Sequence, residues 1–491
     1  MPKDTTGIKH ILGLKVRDLR LGLKLSFQEL SQMTGLSISY LNEIEKGKKY
    51  PKGDKMIVLA EALGTNYDDL VSLRVPKKLE AVVNLLQSNF FKEFPLDAFG
   101  LEINKLVELI SSAPEKFNAF ITTVLQIARN YEMGQEHFFL AALRAYQELN
   151  DNYFEEIEEK ASEFRSSHSD LQQLPVRAEK LAAILSNDYG IRMDRLSLSK
   201  ITSLGHLRSF YKRKRKELSI NRGLTPAQES FLVGREIGFQ YMNKKSRPFE
   251  TPPLLPSTFE ESLHNQEASY FSAALLMPES EVVDDIKRFE QLPRWQPDFF
   301  AEMMEKYRAT PEMLMQRLTN ILPHHFQINN LFFFRFVGQA TGDFELTKEL
   351  HLSKFHNPHA NELNEHYCRR WISLELIRRV TVEETGLISG IQISKYLNTS
   401  AQYLIISLAW PNVSDKRQGI SVSIGFQIDQ KLKRRLKMLD DPDIPVKTVH
   451  TTCERCTIMD CRERVAPPEV VRHDERAQEV RDALLALKES E

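Results

Sequence analysis

The stretch LSFQELSQMTGLSISYLNEIEKGKKYP, Leu25 to Pro51, constrains the fold more than any other part of the chain. Ser26 followed three residues later by Glu29 is a capping box, so a helix starts there. Leu30 lies on the inward face of that helix, and Gly35 supplies the tight turn after it. A second helix is expected from about Ser37, with Leu41 and Ile44 facing inward. Helix, short glycine turn, helix is the helix-turn-helix layout. Ser37 opens the second helix, and its Ile38, Ser39, Tyr40, Asn42 and Glu43 are free to face a groove. Lys46, Lys48 and Lys49 follow, placed for phosphates. Gln28, early in the first helix, is placed for a phosphate or a base edge. The competing reading is a small helical protein-binding module.

At 491 residues the chain predicts three or four domains. Lys plus Arg number 66 and Asp plus Glu number 67, so any nucleic-acid contact must come from a local basic surface. No run of 18 apolar residues predicts a membrane span. The N-terminus MPKDTTGIKH lacks the apolar stretch of a signal peptide. The four cysteines are too few for a disulfide framework. A cytoplasmic, reducing setting is expected, where a cysteine cluster points to metal or redox chemistry.

The expected architecture is multidomain and mainly α, with an α/β domain at the C-terminal end. Residues 1–74 form the helix-turn-helix head, and 75–165 a helical linker or dimerisation region. Residues 166–322 are mainly helical and contain a basic strip, FYKRKRKE, from Phe210 to Glu217. Residues 323–470 carry strand signals in LFFFRFV, QYLIISLAW and the alternating GISVSIGFQI. A charged amphipathic helix fills 471–491.

Cys453, Cys456 and Cys461 lie within nine residues, in CERCTIMDC, and Cys368 stands far upstream. A C-x2-C turn aims two thiolates at one ion, but a closed zinc or iron–sulfur site takes four ligands. Cys368 is the candidate fourth, with His366 and His450 as substitutes. Arg455, Arg462 and Arg464 are basic neighbours expected to lower thiol pKa values. Spacing alone leaves iron–sulfur, zinc and free or redox-active thiols all open.

Three resemblances add to this reading. SFQELSQMTGLSISYLNEIEKG resembles the phage-repressor (XRE, Cro/cI-like) family. That implies a lambda-repressor-like head whose second helix enters the major groove of an operator duplex. It also implies a dimer, or a higher homo-oligomer, on two half-sites. LTPAQESFLVGREIGFQYM and NQEASYFSAALLMP resemble the ImmA/IrrE family, with Glu267, Phe271, Leu275, Leu276, Met277 and Pro278 recurring. Its metallopeptidase members carry two histidines that bind zinc four residues apart. Here Arg235 and Phe239 stand in those places, with Glu236 between them. A fixed cation and a ligand-free ring do not hold zinc, so no peptidase activity is expected and Glu236 is expected to pair with a nearby Arg or Lys.

CERCTIMDCRERVAPP, with Cys368-Arg369-Arg370-Trp371 upstream, resembles the tail of the short-chain fatty acyl transcriptional regulators of propionate and acetate metabolism. That likeness implies a GAF-like sensing domain, short-chain acyl-CoA as effector, and in some members a 4Fe–4S cluster on the four cysteines. For acyl-CoA, the candidate cations are Arg369, Arg370, Arg378, Arg379, Lys416 and Arg417, and the candidate apolar lining is Trp371, Phe334, Trp410 and Phe426. The alternatives are an iron–sulfur redox regulator without acyl-CoA, and an ImmA-like metallopeptidase.

Overall fold

A computed structural model describes residues 5–72, 99, 135–253, 256, 258–339, 341–352, 365–383, 386–412, 415 and 417–489. Most of the expected linker, residues 75–134 apart from Phe99, lies outside the described residues, and so does Lys416. The chain divides into two compact units, Met1–Ala142 with Ser257–Glu260, and Leu143–Pro256 with Glu261–Glu491.

In the first unit, α1 (Thr5–Gly22), α2 (Phe27–Thr34), α3 (Ile38–Glu45), α4 (Gly53–Ala62) and α5 (Tyr67–Val71) make the head. Its core joins Leu12 and Val16 of α1, Leu30 of α2, Leu41 and Ile44 of α3, and Met56 and Leu59 of α4. A Cβ on Gly13 would fall 2.5 Å from the Ile44 carbonyl oxygen, so α1 and α3 meet nearly backbone to backbone. Helix α6 (Gln135–Leu149) follows.

The second unit continues with α7 (Glu155–Ser167) and α8 (Ala178–Tyr189). A small sheet follows, built from β1 (Arg192–Asp194), β2 (Ser209–Lys212), β3 (Glu217–Ile220) and β4 (Glu250–Thr251), in the order β1-β3-β2-β4. The stretch expected to be mainly helical thus contains a sheet, and the basic strip forms a hairpin of β2 and β3. Helix α9 (Pro226–Tyr241) starts at a Thr225–Gln228 capping box. Helices α10 (Phe259–Leu276), α11 (Glu279–Gln291), α12 (Phe299–Tyr307) and α13 (Pro311–Phe326) complete the helical part.

Next comes a six-stranded sheet of β5 (Leu331–Gln339), β6 (Phe344–His351), β7 (Ile388–Tyr396), β8 (Gln402–Pro411), β9 (Gln418–Gln427) and β10 (Val446–Val449). Its order is β10-β7-β8-β9-β5-β6, antiparallel except for the β10–β7 pair. Strands β5, β8 and β9 coincide with the three strand signals in the sequence. Alternation sends Leu404, Ile406 and Leu408 of β8 to one face and Tyr403, Ile405 and Ala409 to the other. The first face shares one core with α13 and the helices before it, so packing runs across residues 322 and 323 without a break. The second face is covered by α14 (Ile372–Val382), packed on Phe332, Phe334 and Phe336. Short helix α15 (Gln430–Arg435) precedes β10, and α16 (Glu469–Glu489) ends the described chain.

The expected linker extended to residue 165, yet its last helix is bound into the second unit. Ile157, Ala161 and Phe164 of α7 join the common core. Glu158 pairs with Arg317 of α13, which is wholly buried, and accepts a hydrogen bond from the Tyr270 hydroxyl at 2.7 Å. Two buried charges persist there because each is paired and hydrogen-bonded.

Candidate functional site

The head is built as its sequence reads. The Ser26 hydroxyl accepts the Glu29 N–H, and the Glu29 carboxylate accepts the Ser26 N–H at 2.7 Å. Gly35 closes α2 at a φ of 66°, and Ser37 caps α3 by accepting the Tyr40 N–H. Gln28, Ser37, Ile38, Ser39, Lys46 and Lys48 are exposed, whereas Tyr40, Asn42 and Glu43 are half-buried. Ile38 leaves 48% of its surface in solvent at the start of α3. Tyr40 packs partly on the head's core beneath the Lys55 ammonium, so part of its role is structural. The Glu43 carbonyl accepts both the Lys48 and the Lys49 N–H, which turns the chain sharply after α3.

Arg20 and Glu45, which carry no motif signal in the sequence, lock α3 in place. Arg20 of α1 donates from Nε and Nη2 to the two Glu45 oxygens at 2.6 and 2.9 Å, and from Nη1 to the Leu25 carbonyl. The bond to Glu45 holds the Arg20 pKa above its ordinary value. This pair fixes the end of α3 against the helix before the motif.

In the second unit, α9 carries Arg235, Glu236 and Phe239, all buried. Glu236 accepts from Arg247 Nη1 at 2.7 Å, from Arg247 Nη2 at 2.5 Å and from Gln240 at 2.8 Å. The pairing expected of Glu236 is therefore with Arg247. The Arg247 guanidinium lies 3.7 Å over the Phe239 ring. Arg235 donates to Asn265 Oδ1 at 3.0 Å and to the Thr251 hydroxyl. Burial, with Arg247 nearby, lowers the Arg235 pKa to about 10. Glu267, the other acidic position carried by the ImmA/IrrE likeness, is paired with Lys244 at 2.6 Å. Two guanidinium groups, of Arg247 and Arg235, thus lie in the surroundings of the Glu236 carboxylate.

All four cysteines line one cavity, with about 310 Å³ of empty space that includes some open to solvent. Arg369, Arg370, Thr448, Val449, His450, Thr452, Ile458, Glu463 and Arg464 complete its wall. Cys368 reaches the others through an antiparallel bridge between Tyr367 and Thr452. The Cys368 N–H donates to the Thr451 carbonyl, and the Cys453 N–H to the His366 carbonyl. Glu365 fastens the same seam, accepting from Arg455 and Thr452. Arg464 donates to the carbonyls of Cys453, Cys456, Ile458 and Ala466 and so holds the cysteine loop in shape.

His366 is bound to Glu454 at 2.7 Å, whereas His450 is on the cavity wall. All four thiols are free. Among the described residues, no three His, Cys, Asp or Glu side chains are grouped in a way that could hold a metal ion. The cysteines therefore share a cavity without converging on one point. Basic neighbours were expected to lower the thiol pKa values. For Cys368 burial wins, and its thiol is pushed up to about 11. Arg455 is spent on Glu365, and Arg462 faces solvent.

The described residues proposed to contact acyl-CoA do not meet in one pocket. Arg369 and Arg370 line the cysteine cavity. Trp371 is buried beneath α14, stacked on Phe334 and donating Nε1–H to the His450 carbonyl. Trp410 and Phe426 belong to the opposite face of the sheet. Strand parity separates them, because Trp410 alternates with Ala409 and shares the side of Leu408. Arg378 pairs with Glu463, Arg379 with Glu383, and Arg417 with Asp415.

Residues 16–70 match the helix-turn-helix family, and residues 187–319 match the IrrE N-terminal-like domain family. No curated protein matches the chain. Among solved structures, a Mycobacterium tuberculosis transcriptional regulator matches at 16% identity with a TM-score of 0.47, over 66% of this chain and 92% of that one. No helix among the described residues is long and apolar enough to cross a membrane. The chain thus joins a DNA-binding helix-turn-helix head to an IrrE N-terminal-like domain.

Proposed function

We propose that this chain is a one-component transcriptional regulator, with the head as its output and the cysteine cavity as its input. The observation that carries this reading is the meeting of Cys368 with Cys453, Cys456 and Cys461 on one cavity wall. Nine-tenths of Arg369 is buried, and its Nε has no hydrogen-bond acceptor; the Arg464 Nε is likewise buried without one. Both side chains belong to the same wall. An anionic occupant held by thiolates would supply the charge that these cations lack; to hold an iron–sulfur cluster, the four sulfurs would have to draw together from the positions they take on the wall. Such a cluster supplies one-electron redox chemistry. The protein's part is to hold four sulfurs, place cations beside them and keep the cysteine loop closed through Arg464.

Short-chain acyl-CoA is the effector we propose, on the strength of the resemblance to the fatty acyl regulators. The mainly antiparallel sheet, covered on both faces, supports a GAF-like sensing domain. Binding of acyl-CoA changes operator affinity only through unequal affinity for two arrangements of the protein. We read the IrrE-like domain as having no peptidase activity, which the Arg247–Glu236 pair and Phe239 support.

The test is protein purified without oxygen, with iron, sulfide and zinc counted per chain and a visible spectrum recorded. A broad visible band with iron and sulfide supports the cluster. About one zinc per chain without colour replaces it with a structural clamp on the same sulfurs. DNA selected from genomic fragments, titrated with and without acetyl-CoA or propionyl-CoA, tests the effector. Equal affinity throughout rejects acyl-CoA sensing.

A further inference from the structure

The basic strip has no place in the function above. Strands β2 and β3 pair with Tyr211 opposite Leu218 and Lys212 opposite Glu217, and Tyr211 and Leu218 are buried. Between them, Arg213, Lys214, Arg215 and Lys216 form the tip of the hairpin, all four exposed. The neck is charge-compensated, since Lys212 lies 2.6 Å from Glu217 and 3.7 Å from Asp194. The tip is not. Among the described residues, the side chains of Arg213, Lys214 and Arg215 make no hydrogen bond or ion pair, and the Lys216 ammonium reaches only the Tyr189 carbonyl, at 3.4 Å. Exposed Arg192 adds a further cation, its N–H bonded to the Lys216 carbonyl.

β2 and β3 are the two inner strands of their sheet, so this tip stands on a rigid base. Consecutive cations with no carboxylate beside them repel one another and favour a partner with closely spaced anions. Duplex DNA offers a phosphate about every 3.4 Å along each strand.

We propose that the hairpin tip Arg213–Lys216 is a second DNA contact, which binds the phosphate backbone without reading bases. This rests on the head being a DNA reader, and it favours duplex DNA over other polyanions because the same chain already carries that head. The contact adds salt-sensitive affinity but no sequence preference.

The test uses the full chain and a fluorescent 40-base-pair duplex of random sequence, with affinity measured across a range of salt concentrations. The variants are the triple R213A/K214A/R215A, the conservative R213K/R215K, and K46A/K48A in the head. The triple variant should flatten the plot of log affinity against log salt by about 0.9 per lost contact, about 2.7 in all. R213K/R215K should keep the wild-type slope. A triple variant with unchanged slope and affinity, alongside a weakened K46A/K48A, overturns the hairpin contact and leaves the head reading intact. If K46A/K48A changes nothing while the triple variant weakens binding, the hairpin contact stands and the head reading falls. No binding by the wild-type chain at low salt overturns both. Loss of binding to phosphatidylserine vesicles with the DNA slope unchanged would assign the tip to a lipid surface and overturn the proposal.

Discussion

Arg247 grips Glu236 with both terminal nitrogens, at 2.7 and 2.5 Å, at the place where the ImmA/IrrE likeness puts a water-activating glutamate. Both side chains are buried, so each charge depends on the other. Replacing Glu236 with Ala strands the Arg247 guanidinium and should lower stability by about 3–5 kcal/mol. The paired replacement Glu236→Leu with Arg247→Met should recover most of that loss. Chemical unfolding of the three proteins checks it, and a Glu236→Ala chain as stable as wild type would show that the pair does not hold this domain.

The Arg20–Glu45 pair gives a second prediction. Glu45→Ala leaves Arg20 buried and unpaired, so the head should lose about 3–5 kcal/mol and unfold before the second unit. DNA affinity should fall with it although neither residue is among those placed to contact DNA. Thermal unfolding followed by tryptic cleavage within residues 5–72 reads this directly.

A third concerns Arg464, whose two terminal nitrogens serve four carbonyls around the cysteine loop. Lysine has one compact ammonium and cannot reproduce that fork. Arg464→Lys and Arg464→Ala should both reduce iron bound per anaerobically purified chain. Wild-type iron content in the lysine variant would show that charge alone suffices.

A fourth is a pH effect. Hydrogen bonds from the Ser197 hydroxyl and from the Leu196 and Ser197 N–H groups hold the Asp194 pKa down to about 2. A depressed carboxylate stabilises the fold above its unfolded pKa and loses that contribution as pH falls through the folded one. The stability gap between wild type and Asp194→Ala should be constant above about pH 4 and shrink below it. Urea unfolding between pH 3 and 6 measures the gap.

The head was legible almost residue by residue because its signals are local. A capping box, a left-handed glycine and a cap serine act within a few positions. Strands β5, β8 and β9 were legible for the same reason. Arg20–Glu45 and Arg317–Glu158 were not, since each pairs residues that share no periodicity, and for Glu236 only a basic partner was legible, not that it would be Arg247. The acyl-CoA candidates failed to meet for a different reason. Trp371 and Trp410 suit a pocket by type, but which face of a sheet each one takes depends on which parity the neighbouring helices cover. That Cys368 meets the other cysteines was legible only as a requirement for a fourth ligand, because the seam that brings it there is made by main-chain bonds.

That seam also sets an order of events during synthesis. The Tyr367–Thr452 bridge joins parts of the chain separated by β7, β8 and β9, so it closes one of the long loops of this unit. Contacts of such high order form late. Cys368 leaves the ribosome well before its three companions and has no such neighbours until the intervening strands have paired. A nascent or truncated chain therefore carries scattered thiols, and the shared cavity exists only once the chain has been made through Cys461.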